Sequence, residues 1–125
     1  MIAAFLLAAL AQQPNCVSPK FGWEIAECSY QEYKRADAEM NKQWQSVLNA
    51  MRKRDKKIDR KADKAPLFGD TLLAAQRAWI IFRDRHCLLA SLDARGGNST
   101  QVVLNDSCRV ELTKARTEQL KALVD

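Results

Sequence analysis

Apolar side chains recur at helical spacing in three stretches of the chain. These stretches lie within residues 23–65, about 71–92 and 108–124, and in the first of them the apolar pattern stops after Met51, where the basic residues begin. None of them contains Pro or Gly, whereas the segment between the first two contains both and residues 95–100 have the composition of a loop. Three helical stretches with short connections predict an all-α fold, an antiparallel three-helix bundle with a long first helix.

The segments between the helices suggest where each helix begins. Pro66 and Gly69 interrupt the first helical pattern, and Asp70 is placed to cap the second helix. Asp106 or Ser107 is placed to cap the third, and residues 102–104 are expected to form a short extended piece before it.

Each predicted helix has one face suited to the core. On the first helix this face is Tyr30, Tyr33, Met40, Trp44, Leu48 and Met51. On the third it is Cys108, Leu112, Ala115, Gln119 and Leu123, with Arg116 on the flank. On the second it is Leu72, Trp79, Ile80 and Cys87, with Gln76 and Arg83 in the middle.

An arginine in the middle of an apolar face requires a partner, and the first helix offers Asp37 in the middle of its own face. In antiparallel packing, counted from the cysteines, Asp37 and Arg83 differ in level by about 8 Å. We therefore predict an Asp37–Arg83 ion pair inside the bundle, because guanidinium groups grip carboxylates well. Three more polar residues are expected to complete a buried polar network: Asn41, Gln76 and Arg116.

This network is interpreted as structural, fixing the register of the helices. The alternative is that Asp37 is a catalytic acid. Catalysis would need a second acid, base or nucleophile beside it. The single histidine, His86, adjoins Cys87 and is a weak candidate for that role. The interpretation is therefore that the protein is not an enzyme and uses no cofactor.

The four cysteines and the N-terminus both indicate export. Residues 1–11 are uncharged and almost wholly apolar, which resembles a signal peptide without its basic start, and a single domain would then span residues 12–125. The alternative is simply an apolar terminus. Disulfides are favoured over a metal site because no cysteine pair has C-x-x-C spacing. The helical topology brings the cysteines to one end of the bundle, where Cys87–Cys108 and Cys16–Cys28 are the simplest pairs and the crossed pairings stay open.

The excess positive charge is confined to residues 52–64. This segment has eight basic and three acidic residues, a net of +5 that equals the net charge of the whole chain. Such a segment suits an acidic protein or an anionic lipid or polymer surface, or it is merely a solvated helix end and loop. Without aromatic residues it is a poor site for nucleic acid. The candidate binding residues are Arg52, Lys53, Arg54, Lys56, Lys57, Arg60, Lys61 and Lys64.

Three sequence motifs resemble the LprI-type lysozyme-inhibitor domain of exported bacterial proteins. They are ADAEMNKQW, AQRAWIIFRDRHC, and a glycine pair followed by Cys and TKARTEQL. The residues that carry the resemblance are Ala36, Asp37, Asn41, Gln76, Arg77, Trp79, Phe82, Arg83, Cys87, Cys108, Thr113 and Arg116. Met40 and Trp44 stand where Leu and Tyr are more usual.

The resemblance implies a disulfide-bonded helical protein of the bacterial periplasm or envelope that inhibits lysozyme or another peptidoglycan hydrolase. Because animal-type lysozymes are themselves basic, such a contact would have to be local. One hypothesis is that basic side chains of residues 52–64 reach the acidic catalytic cleft, and the other is that the glycine loop, residues 95–100, is the contact surface. The alternative is an envelope interaction module whose basic segment binds anionic lipid or polymer.

Overall fold

Three α-helices make up most of the protein. The computed structural model describes residues 12–125, so the predicted signal peptide lies outside the described residues. The helices are α1, Gly22–Asp55; α2, Phe68–Ser91; and α3, Ser99–Ala122. A single 3₁₀ turn, Leu92–Ala94, extends α2, and no strand occurs in residues 12–125. The predicted all-α fold is confirmed.

Helix α1 ends ten residues before the end of the Gly- and Pro-free stretch. Its buried apolar face stops at Met51, and residues beyond it have no core to pack against, which removes the main support for a helix. The backbone N–H groups of Lys57 and Ile58 then bond to carbonyls three residues back, at 3.1 Å each, and close the helix. The prediction that the helical pattern continues to residue 65 is therefore wrong.

Helix α2 is capped by a residue of α1 and not by Asp70. The carboxylate of Asp55 accepts hydrogen bonds from the backbone N–H of Phe68, at 2.7 Å, and of Gly69, at 2.8 Å. A Cβ at Gly69 would lie 3.1 Å from the Asp55 carboxylate, so glycine permits this close approach. The cap therefore fixes the start of α2 against the end of α1.

Helix α3 begins nine residues before the predicted start. Asn98 is its N-cap and accepts a hydrogen bond from the backbone N–H of Gln101 at 2.9 Å. Gly96 and Gly97, with φ of 113° and 67°, supply the turn that leads into it. Residues 102–104 are helical rather than extended, and Asp106 and Ser107 lie inside the helix rather than at its cap.

The buried face of α3 is not the predicted one. Ala115, Gln119 and Leu123 are exposed. The residues buried instead recur at spacings of four and three: Asp106, Val110, Thr113, Thr117 and Leu120. Three of these five are polar, so hydrophobic periodicity selected the wrong face of this helix.

The apolar core occupies the half of the bundle away from the cysteines. It contains Met40, Val47, Leu48, Met51, Leu72 and Leu120, with Trp44 and Trp79 packed against it. Helix α1 makes its most extensive contacts with α3 and fewer with α2. No helix in the described part of the chain is long and apolar enough to cross a membrane.

The two disulfides lie at the other end and confirm the two predicted pairs. Cys16 bonds to Cys28 and Cys87 to Cys108, with Cα–Cα distances of 5.6 and 5.4 Å. The start of α1 lies against the start of α3, since a Cβ at Gly22 would lie 2.9 Å from the Ser99 hydroxyl. Helix α2 therefore runs antiparallel to both of its neighbours.

Candidate functional site

Arg83 is the centre of a polar cluster where all three helices meet. It is 3% exposed. Its Nη1 donates to Asp37 Oδ1 of α1 at 2.8 Å and to the Thr113 hydroxyl of α3 at 3.2 Å. Its Nη2 donates to the Tyr33 hydroxyl at 2.9 Å and its Nε to Asp84 at 3.0 Å. The structure thus brings together Asp37 and Arg83, the pair indicated by the helical wheels.

The carboxylates around Arg83 outweigh the cost of burying its charge. Burial acts to lower the pKa of Arg83, but the hydrogen bonds that it donates to Asp37 and Asp84 act against this and leave the pKa raised. Burial has the opposite effect on Tyr33, whose neutral form it favours. The pKa of Tyr33 is therefore raised, although the charge of Arg83 acts against this. At neutral pH the cluster is therefore a charged guanidinium held by carboxylates and a neutral phenol.

A second arginine and a third carboxylate adjoin this cluster. Asp106 is 2% exposed, and its carboxylate accepts hydrogen bonds from Arg109 and, at 2.9 Å, from the Ser29 hydroxyl. The Arg109 guanidinium lies over the Tyr33 ring at 3.7 Å from the ring centre. Sequence reasoning missed this part of the cluster because it placed Asp106 at a helix cap. The seven-residue spacing between Asp106 and Thr113 is the signal that places them on one helix face.

The predicted polar network is divided into two clusters. Asn41 is exposed and donates to Asp37 Oδ2 at 3.3 Å. Gln76 lies further along α2, where it accepts from Arg116 Nε at 3.0 Å and donates to the Met40 sulfur at 3.6 Å. Asn41 thus joins the Arg83 cluster, whereas Gln76 and Arg116 form a separate cluster next to the apolar core.

The arrangement around Arg83 suits a structural role. Asp37 is neutralised by an arginine, and His86 is exposed and stacked on Phe82 with ring centres 5.3 Å apart. No three His, Cys, Asp or Glu side chains in residues 12–125 are grouped to hold a metal ion. The charge-assisted hydrogen bonds of the cluster hold the three helices in one register.

The basic segment, residues 52–64, lies at the opposite end of the bundle from the disulfides. Its first four residues finish α1, and the remainder forms turns on the way to α2. All eight basic side chains are exposed. One of them, Arg54, lies over the Phe68 ring at 3.8 Å from the ring centre. The segment therefore presents a concentrated positive surface next to the start of α2.

The three aspartates of the basic segment bind backbone N–H groups. Asp55 caps α2, Asp59 accepts from the Lys61 N–H at 2.9 Å, and Asp63 accepts from the Ala65 N–H at 2.9 Å. Arg60 also donates to the Ala65 carbonyl at 2.6 Å. The acidic groups, together with Arg60 and Lys64, thus stabilise the turns, and the remaining basic side chains are exposed.

Comparison of the chain with known proteins finds a family and a relative that it resembles. The chain matches the family described as lysozyme inhibitor LprI over residues 17–120, a range that includes α1, α2 and nearly all of α3. It is 42% identical over 114 residues to a protein of Rhizobium meliloti (strain 1021) described as uncharacterized, a match that covers 90% of this chain and 81% of that relative. No solved structure matches the chain. The chain therefore belongs to the LprI lysozyme inhibitor family.

Proposed function

We propose that this protein is an exported bacterial envelope protein that binds and inhibits a lysozyme or another peptidoglycan hydrolase, without catalysing a reaction itself. The observation that carries the proposal is the family match over residues 17–120, which spans nearly the whole bundle. The two disulfides support a location in an oxidising compartment such as the periplasm.

We further propose that the basic segment is the contact surface. The Asp55 cap holds the end of α1 against the start of α2, and Asp59 and Asp63 close the turns between them. A segment ordered before binding loses less conformational entropy on association. Its exposed cations are therefore available for a partner at a low ordering cost.

The chemistry of the partner's active site complements this surface. Glycoside hydrolases generally use a pair of Asp or Glu residues that flank the scissile bond. Lysine and arginine side chains that enter such a cleft form charge-assisted hydrogen bonds with carboxylates and exclude the substrate. This local attraction acts even where the overall charge of the hydrolase is positive.

The test is inhibition of cell-wall lysis by the purified, oxidised protein. It would be titrated into animal-type and bacterial muramidases while the turbidity of a cell-wall suspension is followed. We expect saturable inhibition at a near-stoichiometric ratio for at least one enzyme. If no enzyme is inhibited by protein shown to be folded and disulfide-bonded, the proposed function is wrong.

A pair of triple variants tests the contact surface separately. The variant K56Q/K57Q/K61Q removes three exposed charges from the basic segment, and K20Q/K42Q/R77Q removes three exposed charges elsewhere. We expect the first to weaken inhibition by roughly tenfold or more and the second to change it little, because close charge pairs dominate electrostatic coupling. Equal effects of the two variants would contradict the assignment of the surface while leaving inhibition itself intact.

A vesicle measurement distinguishes the alternative function. An envelope module that uses this segment on anionic lipid would bind vesicles containing phosphatidylglycerol, and the binding would fall steeply with salt. Strong vesicle binding by a protein that inhibits no hydrolase would favour that alternative over the proposed one.

A further inference from the structure

An apolar cleft with a single cation at its side opens at the end of the bundle near the basic segment. It has a volume of about 540 Å³ and lies between the start of α2 and the end of α3. Leu67, Phe68, Leu72 and Leu123 form much of its wall, and Arg116 is its only charged residue. Clefts of this size, with mostly apolar walls and a few polar groups, are typical of small-molecule sites.

The charge of Arg116 has no carboxylate partner within residues 12–125. Its Nε donates to the Gln76 amide at 3.0 Å and its Nη1 to the Gln119 amide at 3.1 Å, both of them neutral acceptors. No Asp or Glu of the described chain lies within ion-pair distance of it. Arg83 and Arg109, the other two partly or fully buried arginines of the bundle, each have a carboxylate.

Burial without an anion makes this guanidinium a good anion receptor. Desolvation lowers the pKa of Arg116, and no negative charge offsets that cost. A bound carboxylate would recover it through charge-assisted hydrogen bonds that the surrounding apolar wall strengthens. The Gln76 and Gln119 amides already orient the group, so little rotamer entropy is lost on binding.

From this geometry we propose that the cleft binds the carboxylate of a medium-chain aliphatic acid. The carboxylate pairs with Arg116, and the hydrocarbon chain lies along Leu67, Phe68, Leu72 and Leu123. The neighbouring basic segment raises the local concentration of such anions. This site is separate from the proposed hydrolase contact and stands or falls independently of it.

Calorimetric titration of the oxidised protein with three probes tests the two parts of the ligand, its carboxylate charge and its hydrocarbon chain. Decanoate has both, decanol has the chain without the charge, and acetate has the charge without the chain. We expect one saturable site for decanoate, with decanol and acetate each weaker by about tenfold or more, a factor equivalent to about 1.4 kcal/mol. Trp79, whose ring centre is 5.8 Å from the Arg116 guanidinium, gives a fluorescence readout of the same binding. Equal affinity for decanoate and decanol, or no saturable decanoate site, would overturn the proposal.

Two pairs of variants assign the site. R116Q should weaken decanoate binding by tenfold or more, whereas K114Q, at an exposed cation two residues away, should leave it unchanged. L123E and L123Q differ only in a charge at the half-exposed wall of the cleft. Both variants lose the apolar contact of Leu123, but only L123E adds a repelling charge, so L123E should weaken decanoate binding clearly more than L123Q does. This comparison keeps the test decisive if R116Q does not fold. Retained affinity in both R116Q and L123E would place the anion elsewhere and contradict the proposal.

Discussion

Removing Arg83 should destabilise the bundle strongly, and removing its partner afterwards should restore part of the loss. The variant R83M keeps an apolar stem of similar length but deletes the charge. It leaves Asp37, the Tyr33 hydroxyl and Thr113 without their shared donor. Breaking a buried pair by deleting one partner typically costs about 3–5 kcal/mol.

The exposure of the two partners determines where in that range the cost falls. The Arg83 side chain is 4% exposed and that of Asp37 is 31% exposed. Water can therefore reach the stranded carboxylate, so we expect a loss near the lower end, about 3 kcal/mol in the free energy of unfolding. In the R83M background, D37N removes a charge that has lost its partner and should recover about 0.5–1 kcal/mol, roughly the net value of one ordinary hydrogen bond. In the wild type, D37N should destabilise.

Urea unfolding followed by circular dichroism, with both disulfides intact, measures all four proteins of this cycle. The matched control is K114M, because Lys114 and Glu32 form an exposed pair at 4.0 Å whose loss should cost less than about 0.5 kcal/mol. A loss below about 1 kcal/mol for R83M, or a D37N effect of the same sign and size in both backgrounds, would refute the reasoning.

Three further predictions concern the caps and the disulfides. D55A should destabilise the protein by about 1–2 kcal/mol and fray the start of α2, as measured by urea unfolding, because two backbone N–H groups lose their acceptor. Hydrogen bonds, the largest from the Asn15 N–H, lower the pKa of Glu24. The stabilisation from Glu24 is therefore complete above the ordinary carboxyl pKa of about 4.3 and lost as the pH falls through its lowered value. E24Q should remove that acid-dependent part of thermal stability. Replacing Cys87 and Cys108 by alanine should cost about 3 kcal/mol, measured by urea unfolding, since the bond closes a loop of 21 residues.

Each of these predictions has its own control. D55N retains one acceptor and should lose less than D55A, and equal losses would argue against capping. An unchanged acid profile in E24Q would contradict the role given to Glu24. Removal of the Cys16–Cys28 bond should cost clearly less than removal of the other bond, because residues 12–21 bury little surface and gain freedom in the folded state as well. Equal costs for the two bonds would show that the stabilisation by each disulfide depends only on the chain entropy of the unfolded state.

The placement of Arg83 could be predicted from the sequence because two independent patterns point to it. Helical periodicity puts Arg83 on the same face as Leu72 and Cys87, and it puts Asp37 beside Met40. A buried charge needs an opposite charge, so a cation on the apolar face of one helix and an anion on the apolar face of the other predict an ion pair. The antiparallel topology likewise placed the cysteines at one end of the bundle and favoured the two observed pairs as the simplest, but only the structure excludes the crossed pairings.

The buried face of α3 and the cap of α2 could not be predicted in this way. Asp106, Thr113 and Thr117 are buried because each finds a hydrogen-bond partner, and hydropathy alone treats such residues as surface. Asp55 caps a helix that starts 13 residues later, a contact that exists only once the two helices pack. Local patterns contain the periodicity of each helix but not these contacts between helices.

The Asp55 cap also has a consequence for how this protein can diversify. It closes residues 56–67 into a clip whose two ends are fixed to the bundle, while the side chains between them contribute nothing to the apolar core. Substitutions of the exposed basic side chains within the clip should therefore affect folding little, whereas Asp59 and Asp63, which close its turns, are constrained. The packing of the three helices can therefore stay the same while the exposed charges of the clip change.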